Sequence, residues 1–294
     1  MPAASPLVSE LVDELRRLAV APVRSETLDL WVEPELVFGR LLGREPYAYW
    51  LDAGPDARSG WTFMGDAGGP LGYVLSADPD RGVTRVLHPA TCREAEAPTS
   101  VLDVVTATLE GPARDVEGCA LGWVGWWGYE TGARELGVRR APVGAPDTVL
   151  LFGRRQLAFD HRRRQVRLVS LDVGDDAGDR AWRRRCAAAL AELVGRAPET
   201  PAPAADAPAV RARHSPDAYR GLVRACQDHI RDGDAYQLCL TNRFETETTD
   251  DPFLVYRRMR RANPTHLGAL VVAADTALLS TSPEVFLDLR ADGT

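Results

Sequence analysis

A glutamine, a cysteine and a threonine alternate at positions 237, 239 and 241, and a glutamate at 284 follows a Ser-Pro pair into an apolar stretch. In an extended chain successive side chains point to opposite faces. Gln237 and Thr241 therefore share a face, two residues either side of Cys239. Tyr236, Leu238, Leu240 and Phe244 take the other face with Asn242. An amide beside a hydroxyl can hydrogen-bond a polar ligand, and it can equally satisfy a neighbouring backbone. Glu284 offers either an acid or a strand-end cap, and residue type alone leaves both open.

The chain contains no lysine, so all 35 basic residues are arginine. Pyridoxal-phosphate chemistry, Schiff-base chemistry and a Gly-Lys-Ser/Thr phosphate loop each need an ε-amine and are excluded. Cysteines stand at 92, 119, 186, 226 and 239, an odd set with no Cys-x-x-Cys pair. Neither a zinc site nor a disulfide framework follows, and reduced cysteines in a cytoplasmic protein are expected. The formal net charge of -7 argues against non-specific nucleic-acid binding, which needs a cationic face. No apolar run reaches the ~18 residues of a membrane helix. Met1 to Glu10 lacks the basic start and apolar stretch of a signal peptide.

At about 150 residues per domain, 294 residues make one large domain or two modest ones. Ser5-Pro6 starts a helix on which Leu7, Leu11, Leu15 and Leu18 recur at helical spacing. Pro34 opens a second helix that Gly43 closes. Strands are expected at Tyr47–Asp52, Gly72–Ser76, Thr84–His88 and Leu121–Tyr129, with a helix from Thr99-Ser100 to about Leu109. Thr148–Phe159 and Gln165–Leu171 read as a hairpin whose loop, Asp160–Arg164, is a solvated turn. Trp182–Val194 reads as a helix. These residues, 1–195, form an expected N-terminal domain. A proline- and alanine-rich linker spans 196–213. A second domain begins at 214, where Ser215-Pro216 starts a helix that Gly233 ends. Ala235–Glu245 is an expected strand, Asp251-Pro252 to Asn263-Pro264 a helix, and Leu267–Ala273, Thr276–Ser280 and Val285–Leu289 further strands. Ala291 to Thr294 reads as a hairpin turn without its return strand.

Six segments, in order, resemble the chorismate-binding enzymes, and in particular their aminodeoxychorismate synthase component I branch. They are Tyr49-Trp-Leu-Asp-Ala53; Phe63-Met-Gly-Asp66 with Gly69-Pro70; Gly122-Trp-Val-Gly-Trp-Trp-Gly-Tyr-Glu130; Pro146-Asp147 through Phe159-Asp-His161; Ile230-Arg-Asp-Gly-Asp-Ala-Tyr-Gln-Leu-Cys-Leu-Thr-Asn-Arg-Phe244; and Asn263-Pro264 with Ser280-Thr-Ser-Pro-Glu-Val-Phe286. The resemblance implies an α+β fold like that of anthranilate synthase component I, an α/β sandwich of two antiparallel sheets with helices outside, here truncated at the C-terminus. It implies that chorismate receives ammonia from a glutamine amidotransferase partner in place of its ring 4-hydroxyl.

On that resemblance Glu284 is the general acid that protonates the departing hydroxyl. Gln237, with Thr241, falls at a substrate-binding position where water-adding relatives carry a lysine base. Glutamine does not take up that proton, so the resemblance points to an ammonia user. Leu51, Asp52, Ala53 and Pro264 border the pocket in which several relatives hold an amino acid, with Ala53 in place of a common serine. Magnesium is the implied cofactor. Its ligands, and the lysine of a Pro-Ile-Lys-Gly-Thr segment, would fall beyond Thr294. The expectation is an N-terminal portion that is inactive alone. Two other readings are an anthranilate synthase component I-type enzyme, and a non-catalytic remnant that binds an amino acid or an amidotransferase partner.

Overall fold

The computed structural model describes residues 6–78, 81–108, 116–138, 146–174, 177–203 and 209–289. The turn expected at 291–294 lies outside the described residues. The chain opens with α1 (Pro6–Ala19), whose Leu7, Leu11, Leu15 and Leu18 are all buried on one stripe. β1 (Val23–Leu28) leads to α2 (Pro34–Leu41), which starts on a proline pre-set for a first helical turn. Next come β2 (Tyr47–Asp52), β3 (Trp61–Asp66), β4 (Tyr73–Asp78), β5 (Val83–His88) and β6 (Arg93–Ala97). In α3 (Val101–Thr108) the Leu102 N–H donates to the Ser100 hydroxyl. β7 (Gly122–Trp126), α4 (Tyr129–Glu135), β8 (Thr148–Gly153), β9 (Arg155–Asp160), β10 (Gln165–Leu171) and α5 (Ala177–Leu193) complete the first two hundred residues.

Residues 201–251 form a separate compact unit. It holds β11 (Arg211–Ala212), α6 (Pro216–Asp232) and β12 (Phe244–Glu245). The Ser215 hydroxyl caps α6 by accepting the Ala218 N–H, and Gly233 ends it in the left-handed region at φ 84°. The remaining elements, α7 (Pro252–Ala262), β13 (Leu267–Ala273) and β14 (Thr276–Ser282), belong with residues 1–200.

That larger unit is built on two antiparallel sheets. One has seven strands in the order β1-β10-β9-β3-β2-β13-β14, and the other five in the order β6-β5-β4-β8-β7. Tyr49 and Val271 of the first sheet pack against Val74, Val149 and Leu151 of the second. α2, α5 and α7 cover the outer face of the seven-stranded sheet through Phe38, Trp182, Leu190 and Tyr256. α1 and α3 cover the outer face of the other sheet. The arrangement is the expected sandwich of antiparallel sheets with helices outside.

Four sequence expectations change. Thr148–Phe159 is not one strand: the chain breaks at Arg154, and β8 joins the five-stranded sheet while β9 joins the seven-stranded one. From Ala235 to Glu245 only Phe244 and Glu245 form a ladder, with Ala212 and Arg211. Alternating polarity makes a segment fit to be a strand, but a strand also needs a partner for its backbone groups. Val285–Leu289 is likewise outside any strand. Finally, β13, which the sequence assigned to the second domain, pairs with β2 in the register Leu270 to Trp50 and Gly268 to Asp52.

Candidate functional site

Three chain segments meet at one end of the seven-stranded sheet. They are the end of β2, the loop between α7 and β13, and the end of β14. Gly54, just past β2, has φ +100°, and a Cβ there would stand 2.5 Å from the Thr265 carbonyl oxygen. Only glycine serves both that backbone region and that approach. The Thr265 hydroxyl donates to the Ser282 carbonyl and accepts the Leu267 N–H at 3.2 Å. It thus ties the loop carrying Pro264 to the end of β14. Ser282 in turn donates to the Glu284 carbonyl at 3.0 Å.

The structure therefore brings Leu51, Asp52, Ala53, Pro264 and the Glu284 backbone to one end of one sheet. It also separates them by face. Leu51 points between the two sheets, packed against the cluster around Tyr49 and Val271. Asp52, one residue on, points to the helix side, as the two-residue period demands. Its carboxylate is buried and fully engaged. Arg260 donates to it twice, Nε to Oδ2 at 2.7 Å and a terminal nitrogen to Oδ1 at 3.1 Å. The Tyr256 hydroxyl donates at 3.2 Å and the Gly54 N–H at 3.0 Å. The same Arg260 donates to the buried Glu35 of α2 at 3.0 Å, which Arg257 also reaches at 2.7 Å. Burial and the Asp52 charge push the Tyr256 hydroxyl pKa upward, so it stays a donor.

Arg260, Tyr256 and Glu35 were not singled out from the sequence. The available signal was the i, i+4 spacing of Tyr256 and Arg260, which puts both on one face of α7.

On the helix side a cavity of about 570 Å³ opens between Trp31, Arg58, His161, Arg164 and Pro264. His161 does not offer it a free nitrogen. Thr62 accepts the Ala53 N–H at 3.1 Å, so its hydroxyl proton is directed at His161 Nε2, 2.8 Å away. Nδ1 then carries the ring proton and donates to the Ala57 carbonyl at 3.2 Å. Burial lowers the His161 pKa from its ordinary value and keeps the ring neutral. Arg164 is exposed in the 161–164 turn, as expected of a solvated turn, and its guanidinium lies 4.6 Å over the Trp31 ring.

The Glu284 side chain is exposed and, among the described residues, has no hydrogen bond or ion pair. Gln237 and Thr241 lie in the 201–251 unit, both exposed on a stretch outside any helix or strand. Gln237 Nε2 is 3.8 Å from Cys239 Sγ. Among the described residues no three His, Cys, Asp or Glu side chains group so as to hold a metal ion. These residues therefore do not by themselves fit a magnesium site. No helix among the described residues is long and apolar enough to cross a membrane.

Residues 65–294 match the family model described as chorismate binding enzyme. The aminodeoxychorismate synthase of Streptomyces griseus is 35% identical over 287 residues, covering 95% of this chain and 39% of that protein. The aminodeoxychorismate synthase of Streptomyces pristinaespiralis is 32% identical, covering 99% of this chain and 41% of that protein. The chain thus spans about two fifths of the length of these relatives. Anthranilate synthase component I from Streptococcus pneumoniae TIGR4 has the same fold, with a TM-score of 0.56 and 20% identity over 86% of this chain and 57% of that one.

Proposed function

Because the chain belongs to the chorismate binding enzyme family, we propose that it forms the N-terminal portion of an aminodeoxychorismate synthase component I. In the proposed reaction ammonia, delivered by a glutamine amidotransferase, forms a C–N bond at ring carbon 4 of chorismate. The C4–O bond breaks and the hydroxyl leaves as water. Glu284 supplies the proton that turns a poor leaving group into water. That role agrees with an unengaged carboxylate beside the tied Thr265–Ser282 loop. Gln237 and Thr241 bind the substrate by hydrogen bonds. Gln237 has no basic nitrogen with which to activate water, in keeping with an amine product. Leu51, Ala53 and Pro264 border an amino-acid pocket, to which Asp52 contributes through the backbone because Arg260 holds its side chain.

The observation that carries the reading is the 35% identity to an aminodeoxychorismate synthase along 95% of the chain. The other groups of the active site, including any that hold magnesium, come in this proposal from a further segment of the kind the longer relatives carry. The test is to add to this chain the C-terminal segment of the Streptomyces griseus relative. Chorismate, an ammonium salt and magnesium are then supplied, and the product is identified by mass. The expected product is 4-amino-4-deoxychorismate, with none from this chain alone. Anthranilate or isochorismate as product, or amination by the chain alone, would overturn the assignment.

A further inference from the structure

A second cavity, of about 280 Å³, lies on the helix side of the seven-stranded sheet, between the turn after β3 and α5. A water's share of liquid volume is about 30 Å³, so there is room for a small organic molecule. Its walls carry opposite charges that lie near each other without direct contact. Asp66, the last residue of β3, and Glu45 stand on one side. Arg185, one turn beyond the buried Trp182 on α5, lines the same space.

The two carboxylates converge on one point. An atom at the Cβ position of Gly68 would lie 3.1 Å from Asp66 Oδ1 and 3.7 Å from Glu45 Oε2. Gly68 is not in the left-handed region, so its backbone does not demand glycine there. The missing side chain instead leaves a space that both acids face. Asp66 Oδ1 accepts the Gly68 N–H at 2.8 Å. Among the described residues neither acid has an ion pair, and Arg185 has no hydrogen bond or ion pair. Arg155, by contrast, is taken by Asp179 at 3.1 Å, and Arg154 donates to the Leu171 carbonyl at 3.5 Å. Burial raises the pKa of Asp66. Burial and the Asp66 charge raise that of Glu45. Arg185 offsets part of both shifts from a distance, and a positive group between the acids would relieve the rest.

A plain anion entering this space meets two acids, and a plain cation meets arginines. A ligand that presents both charges a few bonds apart answers every wall. We propose that this cavity binds a free α-amino acid, its ammonium at the Gly68 cradle between Asp66 and Glu45 and its carboxylate against Arg185. The site is separate from the pocket bordered by Leu51, Ala53 and Pro264, and it does not depend on the chorismate reading.

The test is isothermal titration calorimetry of the purified chain with each of the twenty proteinogenic L-amino acids. The tightest binder is then compared with its N-acetyl and amide derivatives, and magnesium chloride and sodium acetate are run as single-charge probes. At least one amino acid should bind at or below about 1 mM. Losing either charge should weaken it by at least roughly tenfold, the scale of a charge-assisted contact. Gly68→Ala fills the cradle and Arg185→Gln removes the exposed guanidinium. Each should weaken binding by roughly tenfold or more while the circular dichroism and melting curve stay unchanged. No binding up to about 10 mM would overturn the proposal. So would equal binding of the blocked derivatives, binding of magnesium or acetate in preference to every amino acid, or wild-type affinity in Gly68→Ala.

Discussion

Asp52 ends β2 and Asp66 ends the neighbouring β3, and each looks to the helix side of the same sheet, yet their surroundings are opposite. Asp52 meets Arg260 in a two-point contact, with Tyr256 and Gly54 completing its shell. Asp66 receives one backbone N–H and faces open space beside a second acid. The same residue type in the same strand position is thus a closed joint in one case and an open socket in the other. The difference is whether a helix delivers an arginine at the right place. α7 does so for Asp52, while α5 leaves Arg185 unengaged. A buried charge with every partner supplied positions elements; a half-buried one with partners withheld has capacity for a ligand.

The largest test of that contrast is Arg260→Met. It leaves the buried Asp52 carboxylate without its cation, while Glu35 keeps Arg257, and should lower stability by about 3–5 kcal/mol, the scale for breaking a buried ion pair from one side. Chemical denaturation would measure it; a loss under about 1 kcal/mol would mean that the joint is surface-like.

Asp66→Asn should act in the other direction. The folded-state pKa of Asp66 lies above its unfolded value, so the folded chain binds the proton more tightly. Stability then falls as pH rises through the raised pKa. The asparagine variant should lose that fall and be at least as stable as the parent at pH 7. A clear destabilisation at pH 7 would show that Asp66 has a partner in the fold after all.

His161 gives a smaller effect of known sign. Its folded pKa is below the unfolded value of about 6.5, so its contribution is complete above that pH and is lost as pH falls below it. His161→Gln should flatten the stability profile between about pH 5 and 7. An unchanged slope would mean that the ring is not held neutral.

Much of this framework was legible in the sequence because it is local. Leu7, Leu11, Leu15 and Leu18 mark α1, and Ser215 and Gly233 bracket α6, through rules that act within a few residues. The acid joint was not legible. Asp52 and Arg260 stand 208 positions apart, and only the insertion of β13 beside β2 brings them together. The break at Arg154 escaped for a related reason. β8 and β9 are both apolar enough to be strands, and which sheet each joins depends on partners far away in sequence. At Gln237 and Thr241 the alternation of polarity suggested a strand that the structure does not form, because alternation supplies no ladder partner. The convergence of Pro264, Ser282 and Gly54 rests on Thr265, whose hydroxyl bonds have no sequence signature.

The claim that matters most for function is that Glu284 delivers a proton, and it is tested by Glu284→Gln in the complemented protein that turns over chorismate. Both kcat and chorismate affinity should be measured. The substitution keeps size and hydrogen bonding but removes the acid. An acid acting in the transition state contributes to rate more than to ground-state binding, so kcat should fall by roughly 10²–10⁴-fold with affinity little changed. Turnover near normal, with at most about 1 kcal/mol lost in stability, would make Glu284 a strand-end cap and contradict the account.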